Sequence, residues 1–350
     1  MKYHNKLVED GVVKPEELTK IHERLSKHLE EEYKAKDTVK RTLENVRDPK
    51  TKSNRTLTHK WSAMDFSQFG KDQPTEASME DIKEAGLASV DVPKDFHPHP
   101  RIQKFHLSQR VAQIEKNSVD WATAEAIAFG TLLKDGFNVR LSGEDVERGT
   151  FSQRHLGLTD VKTEAKYYPL KEYVRKNALK SRFDLVNTPL TENAAISYEY
   201  GYSIENPQNM VIWEAQFGDF FNTAQQTIDT YFSGSEAKWM RQTGLTLLLP
   251  HGFDGTGPEH SSCRIERFLQ TGATDGIYRR LKYKPQEQRR RELRVGDEFF
   301  YENHQDTNYQ VANPSTPANY FHLLRRQVKR NYRKPLVVAA PKICKLPLRV

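Results

Sequence analysis

A glutamate near a predicted helix start is the residue best suited to acid–base chemistry. Glu192 ends the segment NTPLTE and is followed closely by small or apolar side chains at positions 194–196. Thr188 can cap a helix by accepting from free backbone N–H groups, and Pro189 suits the first helical position because it has no N–H to leave unsatisfied. We therefore predict that the helix begins at Pro189, with Glu192 one turn inside. A carboxylate held there either interacts with the helix dipole or works as an acid or base, and both interpretations stay open at this point.

The elements that must position this glutamate alternate along the chain. Short apolar runs bounded by turns predict strands at residues 138–141, 210–214, 245–249, 309–311 and 336–340. Helical stretches are predicted at residues 120–136, 192–202, 222–232 and 317–330. This alternation indicates an α/β fold, a mostly parallel sheet covered by helices on both faces. Ligands of such sheets bind outside the carboxyl ends of the strands, where polar clusters occur here at residues 142–145, 216–220 and 251–262.

The first part of the chain differs from the rest in its pattern of apolar and polar residues. We predict a helical and extended connector over residues 1–95 and a single α/β domain over residues 96–350. Residues 18–33 form an amphipathic helix that needs a partner surface, with its apolar stripe at Leu18, Ile21, Leu25 and Leu29. Residues 34–80 are polar, and we expect an extended connection anchored by Trp61, Met64 and Phe66.

Composition excludes several classes of protein. Two cysteines among 350 residues provide no disulfide framework and fit a reducing compartment. No apolar run approaches membrane-spanning length, and the N-terminus is neither a secretory signal nor a transit peptide. The charged fraction of 29% and the mean hydropathy of −0.80 indicate that part of the chain is a solvated extension. No C-x-x-C or H-E-x-x-H spacing occurs, so no metal site is predicted within this chain.

A basic run with interleaved tyrosines spans residues 278–294. Such a run can contact phosphates, and nucleic-acid binding through it predicts a steeply salt-dependent affinity. Acidic residues interrupt it and no nucleic-acid motif surrounds it, so we favour a solvated insertion.

Three long segments together are more specific than the α/β pattern. They are RLSGEDVERGTFSQRH at residues 140–155, WEAQFGDFFNTAQ at residues 213–225 and LLLPHGFDGTGPEHSSCRIERFLQ at residues 247–270. In this order they strongly resemble the thiamine-diphosphate-dependent decarboxylating component of the 2-oxoglutarate dehydrogenase complex, and its relative that acts on 2-oxoadipate. The resemblance implies that this chain is the pyrimidine-binding, transketolase-like domain of such an enzyme. The family's diphosphate and Mg²⁺ motif, GDG followed by Asn, does not occur in this sequence.

The resemblance assigns roles to four residues. Glu192 is similar to the family's activating glutamate, which binds the aminopyrimidine ring nitrogen and favours the tautomer that removes the thiazolium proton. Phe220 resembles the aromatic residue that stacks on the aminopyrimidine, and Gln216 is expected to line the same pocket. The alternative, purely structural interpretation is that Phe217, Phe220 and Phe221 all belong to the hydrophobic core. His260 resembles the histidine near the reacting carbon, which can bind a carboxylate or transfer protons.

Two other histidines are weaker candidates. His251 ends a predicted strand and can point into the core or towards the site entrance. His155 is expected to fix its own loop by a hydrogen bond.

The resemblance also implies cofactors and partners. Thiamine diphosphate is expected, together with Mg²⁺ whose ligands lie outside this chain. The partners are a second copy or a complementary diphosphate-binding half, a lipoyl-bearing acyltransferase and a small 2-oxo acid. The reaction is oxidative decarboxylation with acyl transfer to a lipoyl group, in the mitochondrial matrix of a eukaryote or otherwise in the cytoplasm. Two alternatives stay open, a 2-oxoadipate dehydrogenase component and a truncated, non-catalytic interaction protein.

Overall fold

A computed structural model describes residues 2–35, 59–65, 73–253, 257–272 and 307–345 of the 350-residue chain. It divides into two compact units, Met1–Thr56 and Leu57–Val350. The predicted boundary between residues 95 and 96 stays a prediction. The basic run at residues 278–294 and Phe66 lie outside the described residues.

The first unit consists, in its described part, of helices α1 (Lys2–Glu9) and α2 (Pro15–Ala35). The amphipathic helix predicted at residues 18–33 is confirmed. Pro15 occupies its first position and Glu16 and Glu17 its first turn, where carboxylates are favoured by the helix dipole. The apolar stripe is exposed in this chain, with Ile21 at 49% and Leu29 at 59% of full exposure.

Within the described residues, the second unit is built on one six-stranded sheet and a two-stranded antiparallel ribbon. The strands are β1 (Asn138–Gly143), β2 (Leu158–Thr159), β3 (Lys166–Tyr167), β4 (Phe183–Asn187), β5 (Asn209–Glu214), β6 (Thr246–His251), β7 (Gln310–Ala312) and β8 (Leu336–Pro341). The large sheet has the order β4-β1-β5-β6-β8-β7, and all its neighbouring strands are parallel. The predicted α/β fold with a parallel sheet is therefore confirmed.

Helices connect the strands. The α-helices of this unit are α3 (Met79–Ala88), α4 (Pro100–Ile102), α5 (Ser108–Glu115), α6 (Trp121–Lys134), α7 (Pro169–Lys176), α8 (Glu192–Glu205), α9 (Gln225–Thr227), α10 (Ser235–Trp239), α11 (Ile265–Gly272), α12 (Pro317–Lys329) and α13 (Lys342–Lys345). In the part of this unit that the structure describes, three 3₁₀ turns and two π turns accompany them, at His59–Trp61, Gly218–Ala224, Pro258–His260, Gln103–Leu107 and Ile228–Phe232.

Two apolar layers cover the sheet. On one side α6 and α12 contribute side chains such as Phe129 and Leu324 to a core with Leu141 and Leu248. A second cluster joins α8 and the segment from residue 218 to residue 232 to the alternate strand positions, including Trp213 and Leu247. Adjacent residues of β6 thus belong to opposite layers, as the period of two in a strand requires.

Two predicted helix boundaries were wrong. The helical stretch predicted at residues 192–202 agrees with α8, which begins at Glu192, but the start predicted at Pro189 from capping chemistry was wrong, because the N-cap is Thr191, whose side chain makes no capping bond. Thr188 instead lies in the non-helical segment that follows β4. Its N–H donates to the carbonyl of Gly143 (2.8 Å), and its hydroxyl accepts from the N–H of Leu190 (3.3 Å). The predicted helix at residues 222–232 starts earlier, as a 3₁₀ turn at Gly218, and ends as a π turn.

The predicted anchors of the N-terminal connection are buried. Trp61 and Met64 are each 7% exposed, and the indole Nε1 of Trp61 donates to the carbonyl of Ile204 (2.9 Å).

In the described part of the chain, the helices lack the length and apolar character required to cross a membrane.

A buried ionic network runs through the core beside β5. Arg154 is fully buried and donates from Nε to Glu125 (2.6 Å) and from Nη1 and Nη2 to Glu214 (2.9 and 2.7 Å). The hydroxyl of Tyr320 donates to the other oxygen of Glu125 (2.7 Å). Burial acts to lower the pKa of Arg154, but the two carboxylates raise that pKa well above its ordinary value. The guanidinium therefore stays charged and joins three segments of the chain.

The first prediction concerns this network. Arg154→Met should lower the free energy of unfolding by about 3–5 kcal/mol, because it leaves two buried carboxylates without their cation. Arg175→Met is the matched control: Arg175 is 72% exposed beside Glu172, and the cost should not exceed about 1 kcal/mol. Urea denaturation followed by circular dichroism measures both, and equal losses in the two variants would contradict the assignment.

A second prediction compares two helix-interior glycines. A Cβ on Gly130 in α6 would lie 2.7 Å from the Cβ of Ala85 in α3, whereas a Cβ on Gly201 in α8 would meet nothing within 4 Å. Gly130→Ala should therefore destabilise the fold by about 1–3 kcal/mol through overpacking. Gly201→Ala should stabilise it by about 1 kcal/mol through helix propensity. Thermal melts in dilute solution test the pair, and a stabilised Gly130→Ala would refute the close helix crossing.

Candidate active site

The candidate site lies at the carboxyl edge of the large sheet. Because β1, β5, β6 and β8 are parallel, the segments that follow them meet at one edge. These segments begin at residues 144, 215, 252 and 342. They include the clusters that the sequence predicts to be functional.

Glu192 is the first residue of α8, where the positive end of the helix dipole favours a carboxylate. Its side chain is half-buried in this chain. Within the described residues, the hydroxyl of Thr223 is the single side-chain donor to the carboxylate, at 2.9 Å from Oε2. The helix start and this hydrogen bond fix one oxygen and leave Oε1 for another donor.

Thr223 connects Glu192 to the aromatic candidate. Both Phe220 and Thr223 lie in the 3₁₀ turn Gly218–Ala224, and the Thr223 hydroxyl is 3.5 Å from the carbonyl of Phe220. The bond to Glu192 is the shorter one, so the single hydroxyl hydrogen points there. Sequence reasoning missed Thr223, although it belongs to the segment that carries the resemblance.

Two phenylalanines and His260 form an aromatic cluster. The ring of His260 lies edge-on to Phe217 (centroids 4.4 Å apart) and within 6.0 Å of Phe220. The two phenylalanines are perpendicular at 5.8 Å, and both are partly exposed, unlike the fully buried Phe221. The structure thus brings Phe217, Phe220 and His260 together, with all three ring centroids within 6.0 Å of one another. Phe221 belongs to the hydrophobic core, so the alternative that these phenylalanines are core residues is correct for Phe221.

The imidazole of His260 has an atom that its surroundings leave unpaired. In the described part of the chain its Nδ1 is buried and makes no hydrogen bond. The nearest carboxylate oxygen, from Glu259, lies 3.7 Å away, which is too long for one. A buried nitrogen of this kind indicates a ligand or a water as its partner.

Gln216 is held by the loop after β1. Its amide nitrogen donates to Asp145 (2.8 Å), and its amide oxygen accepts from the hydroxyl of Thr150 (3.1 Å). Asp145 also pairs with Arg148 at 3.2 Å. The amide therefore fixes this loop beside the aromatic cluster, and the predicted pocket-lining role stays a prediction.

The other two histidines have structural contacts. Nδ1 of His251 accepts from the backbone N–H of Cys263 (3.1 Å), which fixes the turn after β6. The His155 ring packs against that of His106 at 4.8 Å, and burial, followed by Arg110 and Arg148, lowers the pKa of His155 to about 4. His155 is therefore neutral at neutral pH.

Metal-ligating residue types do not cluster in the described part of the chain, where no group of three or more His, Cys, Asp or Glu is placed to hold an ion. The expectation that Mg²⁺ is held by another chain or segment stays a prediction.

Comparison with known proteins covers most of the chain. Residues 117–344 match the family model described as the transketolase, pyrimidine binding domain. A probable 2-oxoadipate dehydrogenase complex component E1 homolog of Dictyostelium discoideum is 44% identical over 345 residues, covering 98% of this chain and 35% of that protein. The 2-oxoglutarate dehydrogenase E1 components of Brucella anthropi and Brucella ovis are 42% and 41% identical over 341 residues, covering 97% of this chain and 30% of each relative.

The chain spans about a third of the length of the curated relatives it matches. The family model covers the parallel sheet, helix α8 and every candidate residue described above. The chain belongs to the transketolase pyrimidine-binding domain family.

Proposed function

We propose that this chain is the pyrimidine-binding part of a thiamine-diphosphate-dependent 2-oxo acid dehydrogenase component. The substrate is 2-oxoglutarate, or alternatively its longer homologue 2-oxoadipate, and the acyl product passes to a lipoyl group of an acyltransferase. The observation that carries the proposal is the position of Glu192, at the start of α8 and tied through Thr223 to the segment bearing Phe220.

The residues at the sheet edge fit the cofactor. Glu192 offers a carboxylate with one oxygen held by Thr223 and the other open to a donor, which suits a protonated ring nitrogen. Phe220 offers a partly exposed ring for an aromatic heterocycle to stack on. His260 contributes a buried nitrogen that still lacks a hydrogen bond within the described chain. This chemistry requires an acid–base group, an aromatic face for stacking and a second group that can carry a proton, and these three residues provide them.

Each residue has a distinct task. Glu192 would hold a proton at the aminopyrimidine ring nitrogen. Phe220 would orient the ring plane. His260 would bind the carboxylate of the 2-oxo acid or move a proton at the reacting carbon. Thiamine diphosphate supplies the electron sink for decarboxylation when bound.

The third prediction tests Glu192. In an enzyme assembled with the diphosphate-binding part, Glu192→Gln should lower the decarboxylation rate by at least about 10²-fold, because the amide cannot exchange the proton. Thiamine diphosphate affinity, measured by calorimetry, should change far less. Glu205→Gln, the same substitution at the exposed last position of α8, is the control and should keep full activity. Hydrogen exchange at the thiazolium carbon reports on the step directly, and wild-type exchange in Glu192→Gln would eliminate the role.

We further propose that α8 docks a second copy or the complementary half. Its outer face carries Ala194, Ser197 and Tyr198, all exposed, and Leu190 just before the helix is 54% exposed. Tyr198 is 57% exposed, and aromatic residues are enriched at protein interfaces. Because α8 starts at Glu192, a partner on this face would also shield the carboxylate from water.

The fourth prediction concerns this face. Tyr198→Glu should weaken self-association by about tenfold or more, since a charge would then have to be buried. Leu269→Glu on α11 is the control, because Leu269 is equally exposed at 58% but lies on another helix. Sedimentation over a range of concentrations measures both variants. Equal association of Tyr198→Glu and the wild type would place the interface elsewhere.

The remaining parts of the proposal follow from the resemblance. Mg²⁺ is expected to accompany the diphosphate on the complementary part. The proposed site of action is the mitochondrial matrix in a eukaryote, within the tricarboxylic acid cycle, and the cytoplasm otherwise.

A further inference from the structure

Lys342 is a buried lysine at the sheet edge that carries the candidate site. It follows β8 directly and is 3% exposed. Lysine is rarely buried to this extent, because taking an ammonium out of water costs several kcal/mol unless its partners compensate. Its position next to the strand ends makes its partners informative.

Two of its contacts are with members of the aromatic cluster, His260 and Phe217, and a third is with Phe151. The Nζ of Lys342 donates to the backbone carbonyl of His260. The same ammonium lies 5.5 Å from the ring centroid of Phe217 and 5.9 Å from that of Phe151. Both distances are within the range of cation–π attraction, which strengthens when the charge is desolvated. One charge therefore joins the end of β8 to the His260 turn and to the ring on which His260 packs.

The turn that carries His260 is also held by its own backbone and by Ser261, whose carbonyl accepts from the N–H of Gly252 (3.0 Å). It is a single 3₁₀ turn, in which the N–H of His260 donates to the carbonyl of Gly257 (3.1 Å). The imidazole Nδ1 makes no hydrogen bond in the described part of the chain, so ring packing on Phe217 orients the side chain. A contact that fixes both the carbonyl of His260 and the face of Phe217 consequently controls where the imidazole points.

We propose that Lys342 is a positioning residue that sets the orientation of His260 for the reaction. The inference rests on the proposed function, since it gives His260 its task at the reacting carbon. Lys342 acts through His260 and Phe217 rather than on the substrate, because its side chain is buried and its ammonium donates to the carbonyl of His260. Charge and hydrogen-bond donation, rather than side-chain volume, carry the effect.

The experiment separates charge from volume. Lys342→Met keeps the length and apolar stem of the side chain but removes the donor and the charge, whereas Lys342→Arg keeps both. The readout is the ring ¹H–¹³C resonance of His260 in the full 350-residue chain with labelled histidine and no cofactor. The signal is assigned by its loss in His260→Gln.

We expect the His260 resonance of Lys342→Met to leave its wild-type position and move towards that of Phe217→Leu, which removes the ring current directly. Lys342→Arg should keep the wild-type position, and melting temperatures report on the fold of each variant. If Lys342→Met does not fold, Lys342→Leu, which likewise lacks both the donor and the charge, provides the same comparison. A resonance unchanged in the folded neutral variant would overturn the positioning role.

Turnover distinguishes this inference from the function on which it rests. In the assembled enzyme Lys342→Met should lower kcat by roughly 10²-fold, the cost of a misplaced catalytic group, and Lys342→Arg should restore most of it. A shifted resonance with unchanged kcat would contradict the proposed role of His260 and with it the role of Lys342 in the reaction. Failure of the wild-type assembly to bind thiamine diphosphate would instead contradict the proposed function while leaving the resonance result intact.

Discussion

The pairing of Arg154 with two buried carboxylates is the constraint on which the candidate site depends. Glu125 comes from α6, Glu214 is the last residue of β5, and Arg154 itself lies in the loop after β1, where it also donates to the carbonyl of Val146 (3.2 Å). Buried ions tolerate little displacement, because each must keep its partner to offset its desolvation. The end of β5 and the loop after β1 therefore cannot shift independently.

Charge balance explains why this network is tolerated inside the core. A second buried arginine, Arg110, donates to the backbone carbonyl of Arg154 (3.1 Å), so two cations stand near two carboxylates. Burial lowers the pKa of Arg110 to about 10, which still leaves it charged at neutral pH. The position of Gln216, two residues after Glu214, follows from this arrangement, because its amide spans the distance back to the same loop.

Strands β1, β5, β6, β7 and β8 could be predicted from the sequence because buried parallel strands are continuous apolar runs, whereas β4 and the two ribbon strands were not among the predicted runs. The predicted runs at residues 138–141, 210–214 and 336–340 fall within observed strands. The start that capping chemistry predicted at Pro189 was wrong, because the bond that keeps Thr188 out of the helix goes to the carbonyl of Gly143, on a neighbouring strand. Local capping chemistry at Thr188 and Pro189 was reasonable, but a tertiary hydrogen bond outweighed it.

The site residues also divide into those that the sequence could identify and those that it could not. Motifs identified Glu192, Phe220 and His260 as candidates, because each lies inside a distinctive local segment. Thr223 and Lys342 were missed, because their partners are 31 and 82 positions away in the sequence. A threonine or a lysine whose partners are distant in the sequence has no local motif that would identify it. Only the topology, which brings the ends of β5, β6 and β8 to one edge, makes their contacts visible.

The irregular helix after β5 shows how backbone geometry links two of these groups. In a 3₁₀ turn, with three residues per turn, side chains three positions apart eclipse one another, whereas in an α-helix they are offset. Phe220 and Thr223 are three apart within Gly218–Ala224 and thus project from one edge of the turn. Thr223 reaches Glu192 from that edge, while the ring of Phe220 lies 6.0 Å from that of His260. A regular α-helix from Asn222 would leave Phe220 outside the helix altogether, so the tighter turn is what puts the aromatic candidate and the partner of Glu192 in one element.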